Sequence, residues 1–104
     1  RIWGPAARIA AGSPPHLLLH SSGMLVSSYG CRRDGCGQRV MLSSDGGRSW
    51  ETDYILRDDG PTGDLGYPST VELSDGSLFT VYYQQPVPGA QCALLASRWR
   101  LPGA

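Results

Sequence analysis

Ser43-Ser44-Asp45-Gly46-Gly47-Arg48-Ser49-Trp50 is the stretch on which the reading of this chain turns. A carboxylate two residues after one serine and four before another can accept backbone N–H bonds across a tight turn, and paired glycines permit the positive φ such a turn needs. Ser43 and Ser49 are placed to bond the turn back on itself. Trp50 leaves it as a large amphipathic side chain, expected to pack between neighbouring sheets. The segment is predicted to be a structural turn joining two strands.

Working outward, the chain overlays on itself. Gly76 falls on Gly23, an offset of 53 residues (76 − 23), with Pro68 on Pro15, Ser74 on Ser21, Leu78 on Leu25 and Tyr82 on Tyr29. The same offset carried through the next loop puts Gln91 on Gln38, Leu95 on Leu42 and Ser97 on Ser44. Fixed-period self-similarity signals a repeat architecture. Alternation and turn residues place strands at 16–20, 24–30, 39–44 and 50–56 in the first unit, and at 69–73, 77–84 and 92–100 in the second. Residues 2–9 read as an outer strand of a preceding unit, with Trp3 echoing Trp50. No helix is predicted.

The pattern Ser-x-Asp-x-Gly-x-(Ser/Thr)-Trp, met by Ser43, Asp45, Gly47, Ser49 and Trp50, resembles the Asp-box, or bacterial neuraminidase repeat, of sialidase-type β-propellers. The resemblance implies an all-β fold: two C-terminal blades of a propeller of about six blades, each blade a four-stranded antiparallel sheet. Residues 1–104 would then form a partial propeller, with one blade at 16–56 and the last at 68–101. In such a blade the Asp-box lies at the end opposite the segments 31–38, 57–68 and 86–91, which converge where function is expected.

Composition narrows the function classes. Nine arginines balance nine acidic residues, and lysine is absent, so there is no electrostatic footprint for nucleic acid or a membrane surface. The run Ile9–Leu19 is broken by Gly12, Pro14 and Pro15, and no segment is apolar for the length of a membrane span. Cys31 and Cys36 share a loop and could bridge, leaving Cys92 unpaired. Neither His16 nor His20 has cysteines spaced for zinc, so no metal and no cofactor are expected. His16 is read as a structural histidine at the mouth end of an inner strand, and His20 lies near the opposite turn.

Chemistry enters at Asp64-Leu65-Gly66-Tyr67-Pro68-Ser69-Thr70, followed by Leu73-Ser74-Asp75-Gly76. This segment resembles the nucleophile segment of exo-sialidases, with Pro68 where the family carries serine. The resemblance implies Tyr67 as the catalytic nucleophile, attacking the anomeric carbon of sialic acid. A neutral phenol avoids the repulsion a carboxylate would meet from the substrate's own carboxylate. That substrate also needs planar, permanently charged donors. Arg39, at the start of a strand on the mouth end, is the first choice of clamp, although the family's arginine can fall where Met41 stands; Arg32 is next. Arg33 is expected to be solvated or paired with Asp34. Asp64 is placed to orient Tyr67 or bond a substrate hydroxyl, while Asp58 and Asp59 shape the loop. Tyr82, Tyr83, Trp99 and Leu25 read as core and interblade packing.

The expected function is that of a retaining exo-glycoside hydrolase acting on sialylated or other acidic glycans, secreted or periplasmic. Its activating glutamate, general acid and further arginines would lie outside this chain, and the chain alone would be inactive. A non-catalytic Asp-box propeller binding glycans or proteins through the same face is the alternative. Tyr67 would then only pack beneath its loop.

Overall fold

A computed structural model describes residues 4–32 and 35–103, except the side chain of Asp53. The described residues form seven strands and no helix: β1 (Pro15–Leu19), β2 (Leu25–Gly30), β3 (Gln38–Ser43), β4 (Glu51–Ile55), β5 (Leu65–Glu72), β6 (Leu78–Gln84) and β7 (Ala93–Trp99). They make two antiparallel sheets, a four-stranded one in the order β1-β2-β3-β4 and a three-stranded one in the order β5-β6-β7. Among the described residues no helix is long and apolar enough to cross a membrane. Residues 4–10 carry no strand, and residues 2 and 3 of the strand expected over 2–9, Trp3 among them, lie outside the described residues. Gly4 and Pro5 are poor ladder residues.

The 53-residue offset reappears as pairing register. Pro15 pairs with Tyr29 and Leu19 with Leu25 in the first hairpin. In the second, Ser69 pairs with Val81 and Glu72 with Leu78, which repeats His16 opposite Ser28 and Leu19 opposite Leu25 at the same offset, while Pro68 and Tyr82, the counterparts of Pro15 and Tyr29, fall in the bulge at the start of β5. The two turns superpose as well: His20 N donates to Met24 O at 2.9 Å, as Leu73 N donates to Ser77 O at 2.8 Å. The third strand departs from expectation. Ser43 pairs with Leu25, but the residue opposite Leu78 is Trp99, so the equivalent of Ser43 is Trp99, an offset of 56 (99 − 43). The loop before β7 therefore carries three more residues than its counterpart. An odd slip turns every side chain to the other face, so Leu95 does not occupy the place of Leu42. The sequence overlay slid through this loop because short apolar strands match themselves in several registers.

β5 packs against β1 and β2 and joins the sheets face to face. Val26, Val40, Leu42, Leu78 and Leu101 form the shared core, with Leu18, Met24, Tyr54, Leu56 and Trp99 packed around it. Alternation selects these residues, since every second side chain of a strand meets the facing sheet. A polar seam crosses the same interface: Ser28 Oγ and Thr70 Oγ1 lie 3.0 Å apart, Thr70 Oγ1 and Thr80 Oγ1 2.9 Å, and Trp99 Nε1 donates to Thr80 Oγ1 at 3.0 Å. Thr70 N donates to His16 Nδ1 at 3.3 Å, which gives His16 a structural bond between sheets. His20 is also a tie: its Nε2 meets Gly76 O at 2.8 Å and its Nδ1 meets Ser22 Oγ at 2.8 Å.

The Asp45 turn closes by side-chain bonds. Ser43 Oγ donates to Asp45 Oδ1 at 2.8 Å, Gly47 N to Ser43 Oγ at 2.8 Å and Ser49 N to Asp45 Oδ1 at 2.9 Å. Gly46 and Gly47 take φ of 75° and 90°. Hydrogen bonds from the Ser49 hydroxyl and backbone, then from Ser43, hold the Asp45 carboxyl down at about 2. Trp50 folds back over its own turn, its indole N–H donating to Gly47 O at 3.1 Å. The tryptophan packed against the core between the sheets is Trp99.

Candidate functional site

The turns at 20–24, 44–50 and 73–77 lie at one end of the sheets and the longer loops 31–37, 56–64 and 85–92 at the other. At the loop end two segments are laced together. Gly60 N donates to Cys36 O at 2.7 Å and Gly35 N to Gly60 O at 2.7 Å. Cys31 and Cys36 form a disulfide. Glycines permit the close approach: a Cβ on Gly37 would stand 2.2 Å from Arg57 O, and one on Gly63 2.8 Å from Arg32 O.

Tyr67 is not on the loop that the sequence reading gave it; it lies inside β5. Gly66 pairs with Tyr83 and Ser69 with Val81, so Tyr67 and Pro68 together oppose Tyr82. This is a β-bulge, one of the few sheet positions where proline, lacking an N–H, is tolerated. The bulge is built from Gly66 at φ 131° and Tyr67 at φ 49°. Among the described residues Tyr67 is the one non-glycine with positive φ, a conformation unusual for a bulky side chain. The residue is 67% exposed. A strained, exposed aromatic at a bulge is an arrangement enriched at functional sites.

Two side chains from two different segments stand against it, and a third, Asp64, lies behind them. Arg32 Cζ lies 5.4 Å from the centroid of the Tyr67 ring, within cation–π range. Among the described residues no ion pair engages Arg32. The Tyr83 ring is 5.8 Å from that of Tyr67, tilted by 34°. Asp64 serves Tyr83 and Cys92. Burial raises the Tyr83 phenol, and a hydrogen bond with Asp64 raises it further. Cys92 Sγ donates to Asp64 Oδ2 at 3.3 Å, and the thiol is likewise raised, by burial first and then by that carboxylate. The Asp64 backbone is pinned by Gln85 N at 3.0 Å and by Thr62 Oγ1 at 3.2 Å.

Arg39 occupies the same end of the first sheet but a different cleft, lined by Ile9, Ala10, Ala11, Tyr29, Cys31 and Thr52, with a volume of about 330 Å³. Its Nη1 donates to Arg57 O at 2.9 Å. A second cleft runs over Ala11, Ser13, Gly30, Cys31 and Arg32. The two adjoin at Ala11 and Cys31, so Arg39 and Arg32 flank the disulfide rather than share one pocket. Asp59, expected to shape its loop alone, forms a two-pronged pair with Arg57, at 2.6 Å to Nε and 2.9 Å to Nη2. This pair holds the Asp59 carboxyl well below the usual carboxylate range. Arg33 and Asp34 lie outside the described residues. Ser43, Asp45, Gly47, Ser49 and Trp50 lie at the opposite end and take no part.

Tyr83 and Cys92 escaped the sequence reading. Tyr82-Tyr83 looked like paired core residues, yet neighbours in a strand face opposite ways. Tyr82 is buried, its hydroxyl 2.8 Å from Ser97 Oγ, and Tyr83 is on the far face. Strict alternation along β6 was the available signal. For Cys92 there was none, because its contact spans a loop.

No family model and no curated protein sequence matches the chain. Among solved structures, a protein of unknown function from Dyadobacter fermentans DSM 18053 is similar, with a TM-score of 0.74 and 30% identity over 86% of this chain and 25% of its own. The chain thus spans about a quarter of that protein's length. What is established is an all-β arrangement of antiparallel sheets shared with part of a larger protein.

Proposed function

We propose that the two sheets are successive blades of a sialidase-like β-propeller, and that the parent protein is a retaining exo-glycoside hydrolase of sialic acid or a related acidic sugar. Tyr67 in its strained, exposed conformation beneath the Arg32 guanidinium is the observation that carries this reading. In the proposed reaction, the Tyr67 oxygen forms a bond to the anomeric carbon as the bond to the aglycone breaks. The phenol proton passes to a base and the departing oxygen takes a proton from an acid, both supplied from outside this chain. Water then cleaves the tyrosyl–sugar bond with retention. Arg32, and Arg39 beyond the disulfide, would meet the sugar carboxylate.

The blade assignment has its own support. Positions equivalent by repeat to the half-buried Leu18 and the buried Val26 and Val40 are Val71, Phe79 and Ala96, on the outer face of the second sheet. There Val71 is 54% and Phe79 37% exposed. An apolar face so placed suits a further sheet stacked as the second is on the first. The Tyr67–Tyr83 pair with Arg32 also favours a second reading, an aromatic and cationic platform that binds acidic glycans without turnover.

A mechanism-based 2,3-difluorosialosyl fluoride, incubated with a full-length protein carrying this chain, separates the two. A covalent adduct mapped to Tyr67 by peptide mass, and lost in Tyr67→Phe, is expected of the hydrolase. Binding of sialyllactose without any adduct would move the assignment to the platform.

A further inference from the structure

We infer that the Cys31–Cys36 disulfide is a positioning element: it holds Arg32 over Tyr67 and so sets the affinity of this site for an anionic ligand. The inference rests on reading Tyr67 and Arg32 as a ligand site. Arg32 directly follows Cys31 and lies inside the small ring that the disulfide closes over a sequence separation of 5. Below the ring, Cys31 N donates to Gly37 O at 2.7 Å and closes its neck. On its far side Cys36 is bridged to Gly60, which ties the ring to the segment leading into β5. The Arg32 carbonyl comes so close to Gly63 that a Cβ there would stand 2.8 Å away. Its guanidinium lies over Gly66, where Nη2 would stand 3.2 Å from an added Cβ. The backbone of Arg32 is thus held on both sides, and its guanidinium lies over the face of Tyr67.

A long, exposed arginine left to itself samples many rotamers, and binding then costs the entropy of ordering it. Closing a short ring adds less to global stability than closing a long loop. The main consequence of this bridge is therefore local. It delivers one charged donor, pre-oriented, beside the tyrosine, and the neighbouring cleft that holds Arg39 shares Cys31 as its wall. Nothing in the Arg57–Asp59 pair or in the polar seam depends on the bridge, so its loss should leave the sheets intact.

The test compares four forms of the full-length protein: wild type, Cys31→Ser with Cys36→Ser, Arg32→Ala, and the three changes together. The ring current of Tyr67 marks the Arg32 Nε–H resonance in an NMR spectrum, assigned by its loss in Arg32→Ala and its shift in Tyr67→Leu. In the double-serine form this resonance is expected to move to the position of a solvated arginine. Affinity for N-acetylneuraminic acid should fall roughly tenfold, the scale of one charge-assisted bond. In the Arg32→Ala background the serine changes should cost nothing more. An unmoved resonance, or serine and alanine effects that simply add, would overturn the inference. A resonance that moves in a protein with no affinity for the sugar keeps the positioning role and removes the sialidase reading instead. Should the serine form fail to fold, reduction of the native protein by a water-soluble phosphine reads the same resonance.

Discussion

Tyr67 carries the sharpest conflict between local preference and observed conformation. A tyrosine at φ 49° sits where L-residues are disfavoured by about 1–2 kcal/mol, and asparagine tolerates that region best among non-glycine residues. Tyr67→Asn is therefore expected to keep the unfolding free energy within about 1 kcal/mol of the parent, although an aromatic is lost, while abolishing covalent trapping at this site. Urea titration and adduct mass read the two halves, and a drop of several kcal/mol would show that the ring is structural. Asp45 makes the opposite case, a residue whose whole role is local. Its folded value of about 2 lies below the ordinary aspartate value of 3.8, so its contribution to stability is present above that ordinary value. It is lost as pH falls through about 2. Asp45→Asn should remove this part of the acid dependence, seen as a flatter urea midpoint between those pH values, and an unchanged profile would count against the turn as drawn. Asp45 was legible in the sequence because its partners lie within four residues of it. Tyr83 was not, because its role depends on which strand stands opposite.

The strands themselves were largely legible from alternation and turn residues, and the first hairpin register held in both repeats. Two elements were not. β5 begins at Leu65, four residues before the strand expected at Ser69, since Pro68 reads as a breaker unless a bulge excuses its missing N–H. β7 falls within the span expected for it at 92–100, but its register against β6 is three residues off the repeat, because loop length is decided by what the loop packs on, and 85–92 packs on Asp64 through Gln85 and Cys92. The lacing of 31–37 to 56–64 makes its own prediction. Gly37→Ala would drive a methyl group against the Arg57 carbonyl, 2.2 Å away. Overpacking against backbone costs about 1–3 kcal/mol. The urea midpoint should fall accordingly, and a neutral Gly37→Ala would mean that the two loops move apart freely.

Across the molecule the two sheets are joined by an apolar core and by the Ser28–Thr70–Thr80–Trp99 seam. Ser28 and Thr80 are both 0% exposed, so removing the central hydroxyl leaves buried partners unmatched, at about 1–3 kcal/mol. Thr70→Val, nearly equal in shape, should lose that much in equilibrium unfolding; no loss would show that the seam is not shared between the sheets. Sequence alone determined the all-β class, the two-fold repeat, the Asp45 turn and the sorting of turns and loops to opposite ends. Each follows from period-two patterning or from contacts a few residues apart. Tertiary structure decided that Arg32 rather than Arg39 covers Tyr67, that Asp64 serves Tyr83 and Cys92, and that Trp99 rather than Trp50 packs between the sheets. Those outcomes depend on strand register, a bulge and a disulfide-closed loop, where a shift of one residue reverses which face a side chain presents.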